Sequence, residues 1–117
     1  MKIYIYNRCS TCQKALKNLN QKGISYQSLP IRETPPTKQE LEHMLGLYGG
    51  NIKKLINVSG MDYRNLGLKD KIKTMTQDEI LTLLTENGNL VKRPFLVSES
   101  QNLVGFKEEV WDTAFES

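Results

Sequence analysis

A pair of cysteines, Cys9 and Cys12, is the feature that most constrains the fold of this 117-residue chain. The residues before the pair, Ile3 to Tyr6, are β-favouring and alternate between two faces, which predicts a buried strand. From Ser10 onward the apolar residues recur at helical spacing, which predicts a helix that begins at the cysteines. The motif therefore lies where a strand passes into a helix, with Cys9 at the helix N-terminus.

This position predicts the chemistry of Cys9. Free amide groups and the positive end of the helix dipole favour a thiolate at a helix N-terminus. The adjacent Arg8 should favour the same ionised form. Cys9 is therefore the candidate nucleophile. Cys12, one turn into the helix and less exposed, is the candidate resolving thiol, which would close a disulfide with Cys9.

Three other interpretations of the cysteine pair stand beside this one. A structural disulfide would close a very short loop and would constrain the chain little. A zinc site would need more ligands, because His43 is the only histidine and is expected on the solvated side of a helix. Two inert cysteines packed as small apolar side chains are the third interpretation. The spacing of the cysteines and their place between strand and helix favour redox chemistry.

Composition excludes several classes of protein. The longest purely apolar run is far shorter than the ~20 residues of a membrane span, and no export signal follows Met1. We therefore expect a cytoplasmic protein, and cytosolic disulfides are rare unless they are catalytic or redox-sensing. The net charge is +3, and the one short lysine cluster, at positions 69, 71 and 73, is broken by Asp70. This pattern is typical of a solvated surface rather than of direct nucleic-acid binding. One monomeric domain over residues 1–117 is expected.

The first thirty residues predict a β-α-β unit. Its helix should end at Gly23, and a second strand should run over residues 24–31, parallel to the first. Three aromatic residues are predicted to pack in the core rather than to stack on a ligand, namely Tyr4, Tyr6 and Trp111.

The remainder of the chain predicts a helical insertion followed by two strands and a helix. Residues 37–88 are predicted to be helical, with capping boxes that begin helices at Thr37 and Thr76. Within this block, residues 51–56 predict a short helix, and residues 61–71 have too few periodic apolar positions for an assignment. A strand pair at 95–97 and 102–104 and a short amphipathic helix then complete a mixed α/β fold.

The segment Lys92-Arg93-Pro94 immediately precedes the third predicted strand. Proline at the first residue of a strand is ordinarily a turn or edge device. Arg93 has two interpretations that we weigh equally: it binds an anion or stabilises the thiolate, or it forms a surface ion pair.

Four motifs together resemble the ArsC/Spx family of thioredoxin-fold proteins, over essentially the whole chain. They are the Cys9–Cys12 motif, residues 59–68, Lys92-Arg93-Pro94 and residues 104–109. The resemblance implies a glutaredoxin-like sheet with an inserted helical lobe, and a cis-proline at Pro94 that faces Cys9. The family includes glutathione-linked arsenate reductases, YffB-type thiol reductases and Spx-type transcriptional regulators.

The resemblance also implies a substrate site. Arg93 matches an oxyanion-binding arginine of the arsenate reductases, but Asn57 and Lys107 stand where further arginines are expected. Because neither offers the guanidinium fork that binds an oxyanion, arsenate reduction is disfavoured, and Asn57 resembles the glutathione-linked YffB-type branch. The expected substrate-binding residues are Thr11, Asn57, Arg93, Pro94 and Lys107.

The function implied is that of a thiol-disulfide oxidoreductase without a bound cofactor, with glutathione as co-substrate and glutathione or a protein disulfide as partner. The alternative is an Spx-type redox-sensing regulator that binds the RNA polymerase alpha subunit, since Gly50 lies near the glycine used in that contact. Those regulators commonly carry a further basic C-terminal stretch, whereas residues 111–117 are acidic here. A binding module with vestigial cysteines is the third possibility.

Overall fold

Four short strands form one mixed sheet in the order β2-β1-β3-β4. The computed structural model describes residues 1–116, so Ser117, the last residue of the acidic tail, lies outside the described residues. The strands are β1 (Lys2–Ile5), β2 (Gln27–Pro30), β3 (Phe95–Val97) and β4 (Leu103–Val104). β1 pairs in parallel with β2 and antiparallel with β3, which in turn pairs antiparallel with β4. This topology confirms the predicted α/β class and the mixed sheet.

Within residues 1–116, six helices accompany the sheet, and four of them separate β2 from β3 in the predicted helical block. The helices are α1 (Ser10–Gln21), α2 (Lys38–Leu47), α3 (Met61–Asn65), α4 (Leu68–Lys71), α5 (Gln77–Glu86) and α6 (Glu108–Ala114). Short 3₁₀ turns lie at Ile52–Leu55 and Gly88–Leu90. The first of these replaces the short helix predicted at 51–56, and α3 and α4 occupy the stretch that the sequence left unassigned.

Both predicted capping boxes are present. The Thr37 hydroxyl accepts the Glu40 N–H at 3.1 Å, and the Glu40 carboxylate accepts the Thr37 N–H at 3.0 Å. Thr76 and Glu79 make the same pair of bonds at the start of α5, at 3.1 and 2.9 Å. Each box satisfies amides that a helix N-terminus leaves without a helical partner, so both helices begin where the sequence predicts.

The second strand is shorter than predicted, because the end of α1 takes up the residues before it. Gly23 adopts a left-handed conformation with φ of 67°. The Gly23 N–H bonds to the Asn20 carbonyl, and the Ile24 N–H bonds to the Leu19 carbonyl at 3.1 Å. These two bonds form a Schellman motif, which delays the strand from residue 24 to Gln27.

The sheet separates two apolar clusters, as the alternation in β1 predicts. Ile3 and Ile5 pack with α1 and with Trp111 of α6, whereas Tyr4 packs with the helical block. Tyr4 and Trp111 are buried as expected. The prediction for Tyr6 is corrected. This residue follows the end of β1, and its side chain is only partly buried, at the margin of the cluster that contains Tyr4. Among residues 1–116, no helix is both long and apolar enough to cross a membrane.

Candidate functional site

Cys9 caps the N-terminus of α1, as predicted. Its sulfur accepts the backbone N–H of Cys12 at 3.3 Å, and its own N–H donates to the Tyr6 carbonyl at 3.0 Å. The first turn of α1 contains no acidic residue that would oppose a negative charge on this sulfur. The start of the helix therefore presents a hydrogen-bond donor to Cys9 and no competing carboxylate.

The surroundings of Cys9 hold its pKa below the ordinary value. Burial of the thiol raises the pKa, but the combined effect of hydrogen bonds from the Cys12 thiol and backbone N–H and of the Arg93 guanidinium outweighs it. The cation that acts here is Arg93, which is distant in sequence. The sequence assigned that effect to Arg8 and gave Arg93 as a second candidate, and the Arg8 side chain is exposed. The thiolate is thus favoured by tertiary contacts as well as by the helix end.

Cys12 has the opposite character. Its side chain is fully buried, and burial raises the pKa of its thiol to about 12, with a further contribution from the charge on Cys9. A hydrogen bond with the Tyr6 backbone and the charge of Arg93 oppose this rise without cancelling it. Cys12 therefore holds its proton more tightly than Cys9 does. Both cysteines are free thiols in this structure.

Cys9 opens into a cavity of about 440 Å³ that brings together five of the predicted site residues. These five residues line it together: Cys9, Thr11, Asn57, Arg93 and Lys107. The other two predicted site residues do not line it, because Cys12 and Pro94 are both buried. Pro94 follows a cis peptide bond, as the resemblance implied.

Backbone hydrogen bonds hold the walls of the cavity in place. The Lys92 N–H bonds to the Leu55 carbonyl, and the Asn57 N–H bonds to the Leu90 carbonyl, both at 2.8 Å. These bonds join the helical block to the segment before β3. The Gly105 N–H bonds to the Pro94 carbonyl at 2.8 Å, which joins that segment to the one after β4. Residues distant in sequence therefore meet around Cys9.

Two further lysines line the same cavity, Lys54 and Lys92, which sequence reasoning did not assign to the site. With Arg93 and Lys107 they make four cationic side chains, and among the described residues no Asp or Glu lines the cavity. Lys92 adjoins Arg93 in the sequence, which was a usable signal, whereas Lys54 reaches the cavity only through the fold of the helical block. The cavity is suited to an anionic ligand.

The match to known families decides what kind of protein carries this site. The ArsC family model matches residues 4–114, nearly the whole chain. The chain belongs to the ArsC family.

Individual ArsC-family relatives agree with the fold. The uncharacterized protein YusI of Bacillus subtilis is 42% identical over 93% of this chain and 92% of its own length. The regulatory protein MgsR of the same organism is 30% identical over 88% of this chain and 80% of its own. The crystal structure of an ArsC family related protein from Bacteroides fragilis superposes with a TM-score of 0.88 at 44% identity, covering 97% of this chain and 95% of the other. The thioredoxin-like fold expected from the resemblance is confirmed.

More distant ArsC-family relatives have names of two functional kinds. The global transcriptional regulator Spx of Streptococcus pneumoniae is 22% identical over 92% of this chain and 79% of its own length. The arsenate reductase of Rhizobium meliloti is 29% identical over 84% of this chain and 70% of its own length. Membership of the ArsC family therefore covers both regulators and reductases, so the choice between them depends on the site. Among residues 1–116, no group of three or more His, Cys, Asp or Glu side chains is placed to hold a metal ion.

Proposed function

We propose that this ArsC-family chain is a thiol-disulfide oxidoreductase that uses Cys9 as nucleophile, Cys12 as resolving thiol and glutathione as reductant. The observation that carries the proposal is the opposite character of the two thiols. Cys9 has a lowered pKa and lines the cationic cavity, whereas Cys12 is buried and protonated behind it. Such a pair separates the attacking group from the group that acts second.

The proposed reaction begins with attack of the Cys9 thiolate on one sulfur of a substrate disulfide. A bond forms between Cys9 and that sulfur, the substrate disulfide breaks, and the other substrate sulfur leaves as a thiolate. Cys12 then loses its proton and attacks the Cys9 sulfur, which releases the second substrate thiolate and leaves a Cys9–Cys12 disulfide. Two glutathione molecules reduce this disulfide by two successive exchanges and leave as glutathione disulfide, so the two electrons come from glutathione.

The cavity supports glutathione as the thiol partner. Its volume of about 440 Å³ lies in the range of small-molecule sites. Glutathione carries carboxylates, for which Arg93 and Lys107 offer charge and Thr11 and Asn57 offer hydrogen bonds. The proposed setting is the cytoplasm, where glutathione is abundant and dithiols are kept reduced, with the chain acting as a monomer.

Mass spectrometry after equilibration with glutathione disulfide tests the proposal. The wild-type chain should form the Cys9–Cys12 disulfide, Cys12→Ser should retain one glutathione adduct on Cys9, and Cys9→Ser should form neither. In a coupled assay with glutathione, Cys9→Ser should lose disulfide reduction. Full activity of Cys9→Ser would show that another group performs the exchange.

A regulator of transcription is the second candidate, and the 30% identity to MgsR is the observation that favours it. Gly50 follows α2 with φ of 78° and is exposed, so this end of the helical block is open to a partner. In this alternative the Cys9–Cys12 pair serves as a switch, and the RNA polymerase alpha subunit is the partner. Retention of that subunit by the immobilised chain in either redox state would favour regulation, and a failure in both states would remove this candidate.

A further inference from the structure

We infer that Tyr6 is a positioning residue whose aromatic ring holds the Arg93 guanidinium beside the Cys9 thiol. The inference rests on the proposed role of Cys9. It gives a function to a residue that the sequence assigned to the core and that the structure places at the margin of the site. Tyr6 would act on the reaction only through Arg93.

The Tyr6 ring contacts two guanidinium groups. The Arg93 Cζ lies 4.8 Å from the ring centroid, and the Arg32 Cζ lies 5.1 Å from it. Both distances are within the range of cation–π attraction. Arg32 also donates a hydrogen bond from Nη1 to the Tyr6 hydroxyl at 3.1 Å, which fixes the end of the ring away from the backbone. The ring is therefore anchored, and Arg93 packs on it.

No ion pair anchors Arg93 among the residues that the structure describes. No carboxylate of residues 1–116 lies within ion-pairing distance of its guanidinium. Asp62 lines a small cavity of about 200 Å³ with Tyr6 and Arg93, but its carboxylate accepts hydrogen bonds from Asn87 and Asn89. A long arginine side chain without an ion pair keeps one position only if other contacts hold it. The Tyr6 ring supplies that contact.

The backbone of Tyr6 ties the same residue to the thiols. Its carbonyl accepts the Cys9 N–H at 3.0 Å, so the chain turns directly from Tyr6 into the start of α1. One residue earlier, the Ile5 carbonyl accepts the Ile31 N–H at 2.8 Å, which keeps this segment on the sheet. Tyr6 thus joins the position of the Cys9 backbone to the position of the Arg93 charge. A cation held this way stabilises a thiolate more than one free to move into solvent.

The test follows the titration of Cys9 by its rate of alkylation with iodoacetamide from pH 5 to 9. The groups that act on Cys9 are Cys12 and Arg93. Three further cations line the same cavity, namely Lys54, Lys92 and Lys107. Cys12 is buried with a pKa of about 12, so alkylation reports on Cys9. The variants are Tyr6→Leu, Tyr6→Phe, Arg93→Gln and the double variant. Tyr26→Leu is the matched control, because Tyr26 bonds to Asn20 on α1 and does not line the cavity.

We expect Tyr6→Leu and Arg93→Gln each to raise the midpoint of the titration and to slow alkylation about threefold to tenfold below it. Tyr6→Phe keeps the ring and should recover most of the wild-type rate, and Tyr26→Leu should follow the wild type. The double variant should be no slower than Arg93→Gln alone, because Tyr6 acts through Arg93.

Two results would overturn the inference. The first is a Tyr6→Leu titration that matches the wild type. The second is a Tyr6→Leu substitution that slows alkylation as much in the Arg93→Gln background as in the wild type. If Tyr6→Leu fails to fold, as judged by circular dichroism, Tyr6→Met replaces it because methionine fills the same space without a ring. The titration uses no disulfide substrate, so its outcome is independent of whether the chain reduces disulfides. The Cys9→Ser experiment tests that function separately.

Discussion

The cationic lining of the cavity predicts that Lys54 contributes to the rate at which the protein reacts with glutathione. Lys54 lines the cavity with Cys9, whereas its neighbour Lys53 is an equally exposed lysine that does not line it. The two lysines therefore form a matched pair, and we expect Lys54→Gln to impair the reaction with glutathione and Lys53→Gln to leave it intact.

The magnitude follows from the exposure of Lys54. Because its ammonium group is in contact with water, its attraction to a ligand carboxylate about 4 Å away is about 1 kcal/mol. A loss of about 1 kcal/mol corresponds to a rate about fivefold lower. Salt should reduce this effect, because the Debye length falls from about 30 Å at 0.01 M to about 3 Å at 1 M ionic strength.

The assay measures the rate constant for reduction of the oxidised protein by glutathione and, in parallel, by 2-mercaptoethanol, which carries no carboxylate. Lys54→Gln should slow the glutathione reaction about fivefold at low salt and leave the mercaptoethanol reaction within about twofold of wild type. An equal loss for both thiols, or the same loss in Lys53→Gln, would refute the electrostatic reasoning.

Three further predictions concern stability and substrate. Gly88→Ala should lower the free energy of unfolding by about 1–3 kcal/mol, since a Cβ there would collide with the Ile31 carbonyl. Gly46→Ala, in a helix where the added Cβ meets no other atom, should raise it by about 0.5–1 kcal/mol. Urea denaturation measures both values, and equal effects of the two substitutions would contradict the reasoning. Burial opposes ionisation of Glu40, but its bonds with Lys2, Thr37 and Tyr4 outweigh this and hold its pKa below the ordinary value. The ionised carboxylate stabilises the folded state at pH values above about 4.3, the pKa of Glu in the unfolded chain, and this stability is lost as the pH falls through the lower pKa of the folded state. The melting temperature of the wild type should therefore fall more steeply below pH 5 than that of Glu40→Gln. Arsenate should oxidise the glutathione-reduced protein much more slowly than a glutathione mixed disulfide does, and comparable rates in a coupled assay would contradict the roles given to Asn57 and Lys107.

Short-range sequence patterns correctly predicted several features of the fold. The capping boxes at Thr37 and Thr76 involve residues three apart, so the sequence shows both partners of each hydrogen bond. The same holds for Cys9 at the start of α1, whose donor is the N–H of Cys12. The two faces of β1 follow from alternation alone. In each case the pattern that decides the structure lies within a few residues along the chain.

The sequence predicted less of the structure where a feature depends on contacts between different helices and strands. The second strand is shorter than predicted because a Schellman motif at the end of α1 takes up its first residues, with the Ile24 N–H bonded to the Leu19 carbonyl. Tyr6 lies only at the margin of the core, since β1 ends one residue before it, and its ring packs on Arg32 and Arg93. The resemblance to the family supplied the cis-proline at Pro94, which local propensity did not indicate.

The sequence by itself determined the cysteine pair and its place between β1 and α1, because these features are set by neighbours along the chain. The burial of Cys12 depends in addition on packing against Ile3, Leu96 and Trp111. Tertiary structure decided which cation acts on Cys9 and which charges surround it. Of the two arginines that the sequence offered for that role, Arg8 and Arg93, it is Arg93 that acts on Cys9, and Lys54 joins the cavity from the helical block. The physical reason is that charge acts through space, so its source depends on how strands and helices pack rather than on adjacency in the chain.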